Sequence, residues 1–262
     1  MTSLAERTIA ALRTNHDVLA ALVPTLSAEQ LNGPSGASEW PVAQVLSHLG
    51  SGAEITLAGF SAALNGTPAP EQSFNESVWD RWNAASPQEQ AEWFLEHNAA
   101  LVETLEALPA EVRESLEIKL GFLPAPIPLA AAAGMRLNEA AQHSWDVRVA
   151  FDPTATLAED AAAVLAEQFG GTLNFLLGFT SKADALTVPA VVAIGDTGYG
   201  LEITDTVAAT PAVADPTATF DGPLEAALRL ISGRLGPDYT PEGLTVTGNV
   251  SLDDLRRVFP GF

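Results

Sequence analysis

The central part of the chain reads Met135-Arg136-Leu137-Asn138-Glu139-Ala140-Ala141-Gln142-His143-Ser144-Trp145-Asp146. On a helix, Glu139 and His143 are four residues apart, which stacks their side chains on one face with β-carbons about 5–6 Å apart. That geometry suits two ligands of one metal ion, and Asp146 on the same face can accept the second N–H of the imidazole. Arg136 completes this polar stripe. The same spacing also occurs in an ordinary exposed Glu–His pair, so the segment alone leaves both interpretations open.

A second histidine follows an apolar helical face in the segment Trp40-Pro41-Val42-Ala43-Gln44-Val45-Leu46-Ser47-His48-Leu49. A lone histidine at such a position is often a core or boundary residue. A helical bundle can nevertheless bring His48 against the face that carries Glu139 and His143. Two imidazoles and one carboxylate suit Zn²⁺ with open coordination positions, as in catalytic sites. His16 and His97 have no acidic or histidine neighbours at helical spacing, and both are expected to be exposed to solvent.

Helical periodicity extends over the first two-thirds of the chain. It predicts four long amphipathic helices, at about residues 3–22, 41–64, 86–108 and 129–150. The stretch that holds Trp79 and Trp82 shows no clear periodicity, so no helix or strand is predicted there. An apolar, proline-rich segment at residues 122–128 precedes the fourth helix. Four such helices predict a four-helix bundle.

The last third of the chain changes character. A helix is expected over residues 158–177, and a hairpin over 187–194 and 199–207 because Gly195-Asp196-Thr197-Gly198 separates two β-branched, apolar runs. Further predicted elements are a strand at 218–220, a helix at 223–232, a strand at 244–247 and a helix at 251–258. The fold class is therefore α+β with two domains. The predicted bundle covers residues 1–157, and a smaller domain with a mostly antiparallel sheet covers 158–262.

Composition excludes several functions. The 262 residues include 33 acidic and 12 basic ones, a formal net charge of −21, which disfavours nucleic acid and anionic membranes as partners. No cysteine is present, which excludes disulfides, cysteine-ligated metals and a cysteine nucleophile. Thiol chemistry would therefore need a thiol from outside. No signal peptide pattern or long apolar run is found, so a cytoplasmic location is predicted.

These motifs together resemble a known family. The pattern Trp40-x-Val42-x-x-Val45-Leu46-x-His48-Leu49, followed by Arg136-x-x-Glu139-x-x-x-His143-x-x-Asp146, resembles the DinB-like metal-binding superfamily. More narrowly, it is similar to the actinobacterial mycothiol-dependent maleylpyruvate isomerases. The segment Gly222-Pro223-Leu224-x-x-Ala227-x-x-Leu230-Ile231-Ser232-Gly233-Arg234 resembles the C-terminal part of that family, so the likeness covers nearly the whole chain.

The resemblance implies a DinB-like bundle followed by a domain like sterol carrier protein 2. It implies a divalent metal, usually zinc, on His48, Glu139 and His143. It also implies that Arg234 and, less directly, Arg81 act on acidic groups of the thiol or the substrate. In such an isomerase, mycothiol adds to an activated double bond, the adduct rotates, and the thiol leaves.

Three interpretations follow. The first is a metal- and mycothiol-dependent enzyme, monomeric or homodimeric, that acts on a small electrophile. It is either an isomerase or, given the apolar segment 122–128, a mycothiol S-transferase for a more apolar compound. The second is a non-catalytic, metal-containing protein that binds a small ligand. The third is a metal-free structural protein in which Glu139 and His143 are only surface residues.

Overall fold

A computed structural model describes residues 2–261 and divides the chain into two compact units. The first unit ends at Ala155, and the second begins at Thr156. The first is helical, and the second combines helices with a five-stranded sheet. The fold class is therefore α+β with two domains, as predicted. Within residues 2–261, none of the helices has both the length and the apolar character that crossing a bilayer requires.

The first unit is built from helices and one small hairpin. Its elements are α1 (Leu4–Leu22), α2 (Ala28–Leu31), α3 (Val42–Asn65), α4 (Gln72–Ala84), α5 (Pro87–Glu106), α6 (Ala110–Ser115), β1 (Glu117–Ile118), β2 (Ile127–Pro128) and α7 (Leu129–Val149). The strands β1 and β2 pair antiparallel, and β2 is formed by the last two residues of the proline-rich segment. The four long helices are the four that periodicity predicts.

Local signals set the ends of these helices. The Ser3 hydroxyl accepts a hydrogen bond from the Glu6 amide at the start of α1, and Ser86 and Glu89 form a capping box at the start of α5. Helix α3 ends at Gly66, whose φ of 62° is readily reached by glycine. Helices α1 and α3 each pack against both α5 and α7, which closes a four-helix bundle.

Helix α4 is missing from the sequence prediction. The stretch with Trp79 and Trp82 forms α4, because Trp82 is fully buried against α3. A β-carbon at Gly50 of α3 would lie 2.1 Å from the Trp82 ring, so the absence of a side chain there makes room for it. The contact joins distant parts of the chain, and periodicity within the short stretch does not reveal it.

The second unit packs helices on one mixed sheet. Its elements are α8 (Glu159–Phe169), α9 (Leu177–Thr180), β3 (Ala190–Ile194), β4 (Gly200–Ile203), β5 (Val207–Thr210), β6 (Ala218–Asp221), α10 (Leu224–Ile231), β7 (Thr245–Gly248) and α11 (Leu252–Val258). The strand order is β5-β4-β3-β6-β7. The pair β3–β6 is parallel and the other pairs are antiparallel, in agreement with a mostly antiparallel sheet.

Two predicted elements of this unit are wrong in extent. The helix expected over residues 158–177 ends at Phe169, where Gly170 and Gly171 follow, and the chain continues as a short 3₁₀ turn and α9. The strand expected over 199–207 is two strands. Residues 204–206 turn back, with the Thr204 amide donating to the Thr206 carbonyl, and this turn separates β4 from β5.

Candidate metal centre

Helices α3 and α7 bring together three side chains that can bind a metal ion. The Nε2 atom of His48 lies 2.9 Å from Oε2 of Glu139, and Nε2 of His143 lies 3.6 Å from the same oxygen. The two imidazole rings meet edge to face with centroids 4.6 Å apart. One ligand atom from each residue lies within 4.8 Å of the others. Two imidazoles and a carboxylate at this separation fit a divalent ion such as Zn²⁺ with open positions.

A buried carboxylate orients one of these histidines. The Nδ1 atom of His143 donates to Oδ2 of Asp146 at 2.8 Å, and Asp146 has no exposed surface. Because Nδ1 is occupied by this bond, Nε2 is the ring nitrogen left to face Glu139. This is the carboxylate–histidine arrangement that fixes the tautomer of a metal ligand.

An aromatic ring covers the two histidines. The Trp40 ring stacks on His143 with an interplanar angle of 23° and a centroid distance of 5.8 Å, and it lies 5.1 Å from the His48 ring. The loop before α3 fixes this tryptophan: the Ser35 hydroxyl donates to the Trp40 carbonyl, and the Gly36 amide donates to the Asp146 carbonyl. Trp40 belongs to the family motif, but the sequence alone does not predict its contact with the two histidines.

The electrostatics of the site favour a charged carboxylate. Burial alone would raise the pKa of Glu139, but the hydrogen bond from His48 and the charges of His143, His48 and Arg136 lower it well below the usual value for a carboxyl group. Glu139 is therefore ionised at neutral pH and attracts a cation. Arg136 lies one turn earlier on α7, and its pKa is lowered by burial to about 10.

The remaining two histidines lie elsewhere in the bundle, and the expectation that both are exposed is wrong. His16 is buried with 7% of its surface exposed, and the Asn98 amide donates to its Nδ1 atom at 3.0 Å. Burial and the charge of Arg13 lower the pKa of His16. His97 is half-buried, with Nδ1 at 3.7 Å from a carboxylate oxygen of Glu54. These partners come from other helices, so spacing along one helix does not reveal them.

The Arg81 side chain forms an ion pair with Glu54 of α3. The indole N–H of Trp82 donates to the same carboxylate at 2.9 Å. Burial raises the pKa of Glu54, but the bonds from Arg81 and Trp82 outweigh it, and the pKa falls. The structure thus places Arg81 against Glu54, and its role in catalysis stays a prediction.

The Arg234 side chain is half-buried at the end of α10. Gly233, at φ 74°, closes the helix, and the Arg234 amide donates to the Arg229 carbonyl at 2.7 Å. The guanidinium donates to the Ser232 carbonyl at 3.1 Å. These hydrogen bonds fix the backbone conformation at Arg234. The action of Arg234 on a substrate stays a prediction.

The fold and the three converging side chains define a two-domain protein with a candidate metal centre inside a four-helix bundle. The family described as mycothiol maleylpyruvate isomerase N-terminal domain matches residues 12–148, which is more than half of the chain. The protein therefore belongs to this family, and the predicted resemblance is confirmed.

Solved structures agree with this assignment. The chain is similar to a crystal structure of the mycothiol-dependent maleylpyruvate isomerase, with a TM-score of 0.65 and 16% identity over 95% of this chain and 98% of that one. A histidine-to-alanine mutant of that isomerase matches over the same shares with a TM-score of 0.63. At this identity the likeness demonstrates the fold. No curated protein sequence matches the chain.

Proposed function

We propose that the protein is a metal- and mycothiol-dependent enzyme that adds the thiol to a small electrophile. The observation that carries this proposal is the meeting of His48, Glu139 and His143 within 4.8 Å, in a family named for a mycothiol-dependent isomerase. Zinc fits the donor set, and other divalent ions with the same preferences are alternatives.

Each side chain of the site has a task in this proposal. His48, Glu139 and His143 hold the ion, and Asp146 keeps Nε2 of His143 directed at it. A divalent ion lowers the pKa of a thiol that it binds, and so supplies a thiolate nucleophile at neutral pH. The protein itself has no cysteine, so a nucleophilic thiol comes from the cosubstrate.

Acidic groups of the cosubstrate or the electrophile need a positive partner. We assign this task to Arg234, because a guanidinium binds a carboxylate with two parallel hydrogen bonds and can stabilise negative charge that develops during the reaction. Arg81 is a second candidate, since half of its side chain is exposed even while it pairs with Glu54.

Two reactions are compatible with thiol addition to a double bond. In isomerisation the C–S bond forms, the new single bond rotates, and the thiol is eliminated again. In S-transfer the conjugate is the product. The apolar segment 122–128, where Phe122 is 64% exposed, is the reason to keep S-transfer to a more apolar electrophile as an alternative to isomerisation.

The test is a reaction of the zinc-loaded protein with mycothiol and a panel of electrophiles, including maleylpyruvate, followed by mass spectrometry. An isomerase returns a product of unchanged mass that liquid chromatography separates from the substrate, and an S-transferase returns the mycothiol conjugate. The controls omit mycothiol or use His143→Ala, and both should be inactive. Binding of metal and mycothiol without turnover of any electrophile would contradict an enzyme and favour a non-catalytic binding protein.

A further inference from the structure

Arg136 is a buried cation beside the candidate metal centre. It has 5% of its surface exposed and lies three residues before Glu139 on α7. Its Nη2 atom donates to the Leu49 carbonyl at 2.6 Å and to the Asn98 side-chain oxygen at 3.1 Å. Both hydrogen-bond acceptors are neutral, Nε has no hydrogen-bond partner, and the charge of Glu139 offsets the effect of burial only in part. Burying a guanidinium without a hydrogen bond to a carboxylate costs free energy of folding, so we expect Arg136 to have a compensating role.

The bond to Leu49 reaches the backbone of α3 at the residue directly after His48. Arg136 therefore joins the two helices that carry the candidate ligands, next to a ligand on each. The bond to Asn98 extends the same contact to α5, and Asn98 in turn donates to His16 of α1. One guanidinium thus links the backbone next to His48 with the interior of the bundle.

Gly52 gives the guanidinium its space on α3. It lies one turn after His48, and a β-carbon there would be 2.9 Å from Nη1 of Arg136. That distance is shorter than a normal β-carbon contact, so a side chain at this position requires the guanidinium to shift from its place beside α3. Gly59 lies further along the same helix, and a β-carbon there would meet nothing within 4 Å.

We propose that Arg136 is a positioning residue of the metal centre, which holds α3 and α7 at the separation that lets His48 share an ion with Glu139 and His143. The inference rests on the proposed metal centre. It goes beyond it because Arg136 is not one of the three candidate ligands and acts through the placement of His48.

The experiment measures Co²⁺ binding by competition with a chromophoric chelator, together with the visible d–d absorption of the bound ion. Arg136→Met should weaken Co²⁺ affinity by about tenfold or more and shift the absorption bands, because altered ligand placement changes both. Arg136→Lys should lose less, since an ammonium can still donate to the Leu49 carbonyl. Far-ultraviolet circular dichroism confirms that each variant is folded.

The glycines supply a matched pair that leaves Arg136 itself in place. Gly52→Ala should weaken Co²⁺ affinity, and Gly59→Ala should bind as the parent does, although both replace a helical glycine by alanine. If Arg136→Met fails to fold, the two glycine variants test the positioning role of Arg136 instead. Parental affinity and spectrum in folded Arg136→Met, or in Gly52→Ala, would overturn the positioning role. A parent protein that binds no Co²⁺ or Zn²⁺ would instead overturn the proposed metal centre.

Discussion

The Nε2 atom of His48 on α3 lies 2.9 Å from the Oε2 atom of Glu139 on α7, although 91 residues of chain separate the two. Neither segment alone holds a complete set of ligands. The packing of α3 on α7 creates the site, and the bundle core beneath it keeps the two helices together. The geometry of the site therefore depends on the residues that fix the packing of α3 on α7 as well as on the three candidate ligands.

Replacing Asp146 tests the orientation of His143. Asp146→Ala removes the acceptor of the Nδ1 proton, and we expect zinc affinity to fall by about 10–100-fold while the fold is kept. Asp146→Asn keeps one acceptor oxygen and should lose less. Zinc affinities from chelator competition measure both changes. Parental affinity in Asp146→Ala would contradict the role given to this carboxylate.

Replacing Arg234 tests the proposed recognition of an acidic group. Arg234→Ala should lower kcat/KM by an amount equivalent to about 2–4 kcal/mol of transition-state stabilisation, while metal affinity stays the same. Arg234→Lys should recover only part, because an ammonium cannot form the bidentate fork. Steady-state kinetics with mycothiol check this. An unchanged kcat/KM in Arg234→Ala would contradict the recognition of an acidic group by this residue.

The buried His16 predicts a pH dependence of stability. Its pKa is lowered in the folded state by burial, so the unfolded chain, with a pKa near 6.5, binds the proton more readily. The free energy of unfolding should therefore fall as pH drops from about 7 through the folded pKa, by up to about 1.4 kcal/mol per pH unit for one proton. Urea unfolding between pH 5 and 8 measures it. His16→Gln should flatten this slope, and an identical slope in the variant would refute the assignment.

The second unit contains an ion pair that should matter for stability. Arg229 is 2% exposed, and its Nε and Nη2 atoms donate to the two carboxylate oxygens of Glu225 at 2.8 and 2.9 Å. Arg229→Met leaves the Glu225 charge buried without its partner, which should cost about 3–5 kcal/mol in urea unfolding. The exposed pair of Arg257 and Asp254 is the control, since Arg257→Ala should cost about 1 kcal/mol or less. Equal small losses in both variants would contradict the prediction.

Much of the first unit can be predicted from the sequence because its signals are local. The apolar stripes and the caps at Ser3, Ser86 and Gly66 fix the four long helices to within about two residues. Helix α4 is not predictable in this way, because it depends on the Trp82 ring filling the space over Gly50. The turn that divides β4 from β5 is likewise hard to predict, because only Asp205 interrupts the β-branched residues from Ile203 to Val207.

The candidate site shows the same division. The spacing of Glu139, His143 and Asp146 on one helix predicts their common face, and the family pattern adds His48. The contacts of Trp40 and Arg136 are beyond such reasoning, because they depend on which ring faces and backbone carbonyls of α3 meet α7 in the folded chain. Contacts between distant segments are therefore the features that sequence patterns predict least well.

The most direct measurement is zinc binding by the purified protein at pH 7.5, by isothermal titration calorimetry with elemental analysis of the zinc-loaded protein. One Zn²⁺ per chain is expected for the parent, and none for His143→Ala or His48→Ala, with both variants folded and inactive. A parent that binds no zinc, or tight binding of one ion that survives the loss of both histidines, would contradict a metal centre on His48, Glu139 and His143.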